Sequence, residues 1–134
     1  MNRTIKFRGK SIYSEDWLYG SLVKIEKDRY AVIPPLNNIE IGKSIGMYEV
    51  YPETVGQFTG LFDKNGKEIY EGDILHTITF GFEPEEYTAI ILYDNCRFQL
   101  SNGRNLFYFG QSDLTKMDDT IVIGNIYDNP ELII

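Results

Sequence analysis

The sequence is poor in reactive side chains: its 134 residues hold one cysteine, Cys96, and one histidine, His76. A single cysteine excludes an intrachain disulfide and fits a reducing compartment. One His and one Cys also leave too few soft ligands for a zinc site, which draws on roughly three or four of them. No stretch approaches the roughly 18 consecutive apolar residues that a membrane span needs. The N-terminus is charged, but no apolar run follows it as a secretory signal requires. No phosphate-cradling glycine loop is present either. These absences predict a protein that stays in the cytoplasm of the cell that makes it, has no contact with membranes, and carries no cofactor, no metal and no catalytic residue.

Positive charge is also short. The formal net charge is −7, which disfavours sequence-independent binding to phosphate backbones. The distribution is uneven: residues 1 to 34 hold seven basic and four acidic side chains, and residues 35 to 134 hold six and sixteen. Such asymmetry suits contact between the N-terminal part of one copy and the acidic part of another, or a local meeting with nucleic acid. A solvated surface is the commoner reason for such asymmetry.

What the chain does have is bulk and β-forming character. Hydrophobic residues make up 43%, with ten Tyr and eight Phe. Aromatic and β-branched residues fit pleated, half-buried surfaces, and a chain of this length can bury a core without staples. The stretch from Tyr51 to Leu75 is dense in backbone-turning residues. Asn65-Gly66, between the apolar run Phe58 to Phe62 and the return through Ile69, predicts a type I′ hairpin turn. Asp63 is placed to accept hydrogen bonds from the following backbone, Gly72 to bend the chain, and Asp73 to cap that bend. Glu68, Glu71 and Asp73 could instead form a carboxylate cluster, but no histidine, cysteine or further carboxylate stands at ligand spacing.

In chain order, Arg3 to Arg8 alternates as a strand, with Lys6, Arg8 and Lys10 making a basic face. Those three cations are the candidate contacts for an acidic partner or nucleic acid; a charge-protected edge strand is the plainer reading. Trp17 to Ile25 and Arg29 to Ile33 form a hairpin around the polar break at residues 26 to 28, and Trp17 is a core or interface anchor. Pro34-Pro35 ends the second strand. Residues 36 to 46 read as an irregular loop, and Met47 to Tyr51 and Val55 to Phe62 as short strands. His76 falls among apolar neighbours on the strand Ile74 to Phe80, as a sheet residue. Residues 81 to 86 form an acidic loop, and Tyr87 to Tyr93 resumes as a strand. Cys96 reads as a small buried side chain. The aromatic run Leu106 to Phe109 offers Phe107 and Tyr108 as packing or partner-binding rings; base stacking would call for more Lys and Arg nearby. Ser112 could cap a helical turn. Thr120 to Tyr127 closes the sheet, and Leu132 to Ile134 form an apolar tail that docks on its own domain or on a neighbouring subunit.

The combination KFRGK, WLYGSL, YEVYPETVGQFTGLFDKNGKEIYEGDIL and IGNIYDNPEL resembles the YopX family of phage and prophage proteins, from about Ile5 to Leu132. The resemblance implies a bacterial, phage-derived setting, self-association and no enzymatic role, and it supplies no functional residue to transfer. The expectation is therefore a mainly β protein of antiparallel sheets: a small N-terminal sheet with its loop over residues 1–46, and a compact SH3-like or OB-like β-barrel over 47–134. Its expected role is that of a non-catalytic accessory protein that self-associates into a homo-oligomer as a protein-interaction module. The alternative is a nucleic-acid-associated module working through Lys6, Arg8 and Lys10 with nearby rings.

Overall fold

The structure, a computed structural model, describes residues 4–35, 46–78, 86–94, 96–101, 106–108 (backbone only) and 120–133. The chain divides into two compact units, Met1–Phe58 and Thr59–Ile134. Among the described residues there are strands and two 3-10 turns and no α-helix. The alternation that rules out an amphipathic helix is the reason.

In the first unit, β1 (Phe7–Lys10), β2 (Trp17–Glu26), β3 (Arg29–Ile33) and β4 (Tyr48–Val50) form an antiparallel meander. The β2–β3 hairpin is the one the polar break predicts. Asp28 takes a left-handed backbone in its turn (φ 60°), a conformation that Asp tolerates better than most residues. A 3-10 turn over Pro52–Thr54 follows β4 and steers the chain back, so that the start of β5 (Gly56–Phe62) pairs with β1, Arg8 opposite Gly56 and Phe7 opposite Gln57. The far end of β1 also returns to β4. Ser11 bridges Val50, the Ile12 amide donates to the Glu49 carbonyl at 3.1 Å, and the Tyr51 amide donates to the Lys10 carbonyl at 2.9 Å. Gly9 makes that approach possible, because a Cβ there would stand 2.8 Å from Val50 Cγ2. Ala31, Val32 and Val50 are fully buried, each valine contributing about 2 kcal/mol by leaving water.

The second unit holds the remainder of β5, β6 (Glu68–Tyr70), and an antiparallel sheet of β7 (Asp73–Ile78), β8 (Glu86–Asp94), β9 (Arg97–Ser101), β10 (Leu106–Tyr108) and β11 (Ile121–Asn125), in the order β10-β9-β8-β7-β11. One face supplies the core: Leu75, Ala89, Ile91, Leu100 and Val122, with Ile69 from β6. The closing strand thus docks beside β7, Val122 opposite Leu75. The described strands are antiparallel throughout, and β10 and β11 are the outermost strands of this sheet among the described residues. The start of β11 is covered by the Asp63–Lys64 turn, with the Lys64 amide donating to the Thr120 carbonyl at 2.8 Å and the Val122 amide to Asp63 Oδ2 at 3.1 Å. These pairings do not close the SH3-like or OB-like barrel expected over 47–134. Residues 47 to 58, grouped with that barrel in the sequence reading, belong to the first unit, where β4 pairs with β3 and the start of β5 with β1.

Two local expectations need correction. At Asn65-Gly66 only Gly66 has positive φ (80°), so the turn is not type I′. Asp63 and Lys67 close a three-residue loop, with the Asp63 amide donating to the Lys67 carbonyl at 2.8 Å and the Gly66 amide to the Asp63 carbonyl at 3.0 Å, and glycine takes the left-handed position at its end. Cys96 is exposed, not buried. It sits in the β8–β9 turn with φ 64°, because Arg97 pairs with Asp94 and forces a tight reversal there. The loops expected at 36–46 and 81–86 fall almost wholly outside the described residues, as does the turn at Ser112; of the second loop only Glu86 is described, and it opens β8.

Candidate functional site

The basic N-terminal strand supplies the first group of side chains. Alternation puts Lys6, Arg8 and Lys10 on one face of the sheet, and register sets Arg8 opposite Tyr19 and Lys10 opposite Trp17. Aromatic rings meet the cations: the Arg8 guanidinium carbon lies 4.6 Å from the centroid of the Trp17 ring, Lys10 Nζ 5.9 Å from the same ring, and Lys6 Nζ 5.3 Å from that of Phe58. A cation over a ring is worth about 0.5–2 kcal/mol, more as water is excluded. Arg8 is only 5% exposed, so its guanidinium serves to tie β1 to β2. Phe107 and Tyr108 lie on β10, opposite Leu100 and Gln99, in the second unit. Lys6, Arg8, Lys10 and Trp17 all lie in the first.

The groups that could do chemistry are kept apart. His76 pairs with Thr88 near the start of β8, while Cys96 follows Asp94 at its end. Six residues of strand separate those positions, roughly 20 Å. His76 Nε2 instead faces Glu86 Oε2 at 3.7 Å. Asp73 is 1% exposed and accepts the Tyr70 amide on Oδ2 at 2.7 Å, the capping role its position beside Gly72 predicts. Glu68 accepts a hydrogen bond from the Tyr70 hydroxyl at 3.3 Å. Among the described residues, no group of three or more His, Cys, Asp and Glu side chains is placed to hold a metal ion. No helix among the described residues is long and apolar enough to cross a membrane.

Two surfaces stand out that residue-by-residue reading of the sequence does not assemble. The first surrounds Ser11. The Ser11 amide donates to the Asp16 carbonyl at 2.9 Å and its carbonyl accepts the Glu15 amide at 3.0 Å, while its hydroxyl accepts the Tyr13 and Ser14 amides. This buried serine folds residues 11 to 16 into a tight turn. The bridge to Val50 sets that turn beside residues 47 to 53. Tyr13 (78% exposed), Met47 (53%) and Tyr48 (47%) therefore reach solvent near the bridge, together with exposed Glu15 and Asp16 on the turn, while Pro52 and Glu53, also exposed, follow beyond Val50. Tyr13 and Tyr48 are distant in sequence, and only the bridge, which has no local signature, brings them together.

The second surface is the C-terminal corner. The Asn125 side chain accepts the Tyr127 and Asp128 amides, and Asn129 returns to accept the Asn125 amide at 3.3 Å, its side chain lying on Gly124. Pro130–Ile133 then form a 3-10 turn with Leu132 and Ile133 about 40% exposed. On the neighbouring edge strand the register slips between Val122 and Gly124, making Ile123 the bulged residue, and it too is exposed.

A family model described as "YopX protein" matches residues 6–134. The crystal structure of protein EF1440 from Enterococcus faecalis is similar at 29% identity, with a TM-score of 0.63, covering 99% of this chain and 100% of that one. No curated protein matches the sequence.

Proposed function

The chain belongs to the YopX family, and from that membership we propose that it is a non-catalytic accessory protein of phage or prophage origin that self-associates as a protein-interaction module. The observation that carries this reading is the C-terminal corner. An apolar tail either packs on its own domain or covers a neighbour, and Leu132 and Ile133 stay about 40% exposed, as does the bulged Ile123 on the last strand. Exposed aliphatics concentrated at one corner favour a contact with another protein surface. The bulge disfavours uncontrolled strand addition, which suits a defined side-chain contact.

Nucleic-acid association through Lys6, Arg8 and Lys10 has less support, because Arg8 is buried against Trp17 and the net charge is −7. Size-exclusion chromatography with light scattering tests the first reading. The wild-type chain runs as an oligomer at high concentration, and the double substitution L132D/I133D shifts it to monomer with an unchanged circular dichroism spectrum. A wild-type protein that stays monomeric at high concentration and low salt overturns the proposal.

A further inference from the structure

We propose that the surface around Ser11 is a docking site for an extended, proline-containing basic peptide segment of another protein. Three observations on the same end of the first unit converge. Among the described residues of that unit, Tyr13, Tyr48 and Met47 are the most exposed large apolar side chains, and the Ser11–Val50 bridge holds the two segments that carry them together. On the same segment as Met47 and Tyr48, two residues beyond Val50 in the other direction, Pro52 is exposed at the start of a 3-10 turn. Glu15, Asp16 and Glu53, all exposed, supply negative charge; residues 11–16 and 46–53 contain no Lys or Arg, and the flanking cation, Lys10, has its Nζ turned to the Trp17 ring at 5.9 Å.

Rigid aromatic faces spaced along a surface suit the polyproline II helix. That helix is already extended before binding, exposes flat pyrrolidine rings and loses little conformational freedom on docking. The carboxylates choose the sign of the remaining side chains: Arg or Lys interspersed with the prolines finds complementary charge at the rim, and an acidic peptide is repelled. The platform is pre-organised. Ser11 uses its amide, carbonyl and hydroxyl to lock the turn that presents Tyr13, and the Glu49 carbonyl holds the Ile12 amide. A locked platform avoids much of the ordering cost that weakens peptide binding by flexible loops. The site is separate from the C-terminal corner and does not depend on self-association.

The test uses the full-length protein and three fluorescein-labelled synthetic peptides of equal length: one alternating proline with arginine, one with glutamate in place of arginine, and one with glycine in place of proline. Fluorescence anisotropy is expected to show saturable binding of the Arg-Pro peptide. The Glu-Pro peptide does not bind, and the Arg-Gly peptide binds about tenfold more weakly because it must be ordered. Y13S and Y48S each weaken Arg-Pro binding by about tenfold, the scale of losing an aromatic anchor, and E15Q and E53Q weaken it several-fold and flatten its salt dependence. L132D/I133D leaves it unchanged. If Y48S disturbs folding by circular dichroism, Y13S decides, since that side chain is almost free of packing. The proposal is overturned by absence of binding to wild type, by equal binding of the Arg-Gly peptide, or by unaltered affinity in Y13S.

Discussion

At the scale of single residues, the strongest determinant in this molecule is Asp63. Its carboxylate is 1% exposed, yet three backbone amides reach it: Asn65 and Lys67 on Oδ1 at 2.9 and 2.8 Å, and Val122 on Oδ2 at 3.1 Å. One side chain thus organises the β5–β6 turn and anchors the closing strand. Hydrogen bonds to a charged acceptor contribute about 1.5–3 kcal/mol each, and a buried donor left without an acceptor costs a similar amount. D63A should therefore destabilise the protein by about 3–4 kcal/mol in urea denaturation. D63N keeps an oxygen for the turn but places an amide against the Val122 N–H, and should cost about half as much. A loss below about 1 kcal/mol for D63A would show that water replaces the carboxylate and would remove it as the organiser.

Among elements, the β3–β4 pairing is reinforced by charge. Arg29 donates to both Glu49 carboxylate oxygens, at 3.2 and 2.7 Å, and to Glu26 at 2.7 Å. The hydrogen bonds from Arg29 hold the Glu49 carboxyl below the usual carboxylate range, and the carboxylates, Glu49 foremost, hold the guanidinium protonated beyond its ordinary value. A carboxyl whose pKa is lower folded than unfolded stabilises the fold fully above its unfolded pKa and loses that contribution as pH falls through the folded value. The pair is solvent-accessible, so the effect is small and salt-sensitive. E49Q should melt slightly below wild type at neutral pH in low salt, and the two melting temperatures should converge as the pH is lowered past the carboxylate range. A gap that widens in acid contradicts this assignment.

The elements also show what the sequence makes legible. The β2–β3 hairpin reads directly, because alternating residues and a three-residue polar break are local signals. The turn-forming roles of Asp63 and Asp73 read equally well, since each bonds amides within a few residues of itself; the hold of Asp63 on Val122, 59 residues on, has no local signal. The Ser11–Val50 bridge is not legible either: its partners are far apart in the chain, and nothing in either segment marks the other. The Pro52–Thr54 turn was hidden between two strand-like runs. The type of the Asn65-Gly66 turn is not legible, because dipeptide chemistry fixes glycine's left-handed backbone but not that of the asparagine before it. Cys96 was misplaced because burial of a small thiol is a statistical tendency, while the tight Asp94–Arg97 reversal that exposes it is set by strand register. Of the cationic face, the alternation of Lys6, Arg8 and Lys10 was legible. Its aromatic counterparts, Trp17 and Phe58, depended on cross-strand register.

Over the whole molecule, charge is divided unequally between the two units. Residues 1–58 hold eight basic and seven acidic side chains, and residues 59–134 hold five and thirteen, giving net charges of +1 and −8. Accumulated like charge opposes a compact state, and salt relieves that opposition by shortening the screening distance from about 10 Å at 0.1 M to about 3 Å at 1 M. Added sodium chloride should therefore stabilise the second unit and leave the nearly neutral first unit almost unmoved. The sole tryptophan, Trp17, lies in the first unit, so its fluorescence reports that unit alone, whereas far-UV circular dichroism is weighted toward the strands of both. In thermal melts, the dichroism midpoint should rise with salt by several degrees while the Trp17 midpoint stays nearly fixed. Substitution of surface acids such as Glu86 and Asp94 by neutral amides should reproduce the rise without salt. If both probes shift together by the same amount, the units unfold as one cooperative body and the charge imbalance acts on the chain as a whole; if neither shifts, repulsion within the acidic surface does not limit the stability of the second unit.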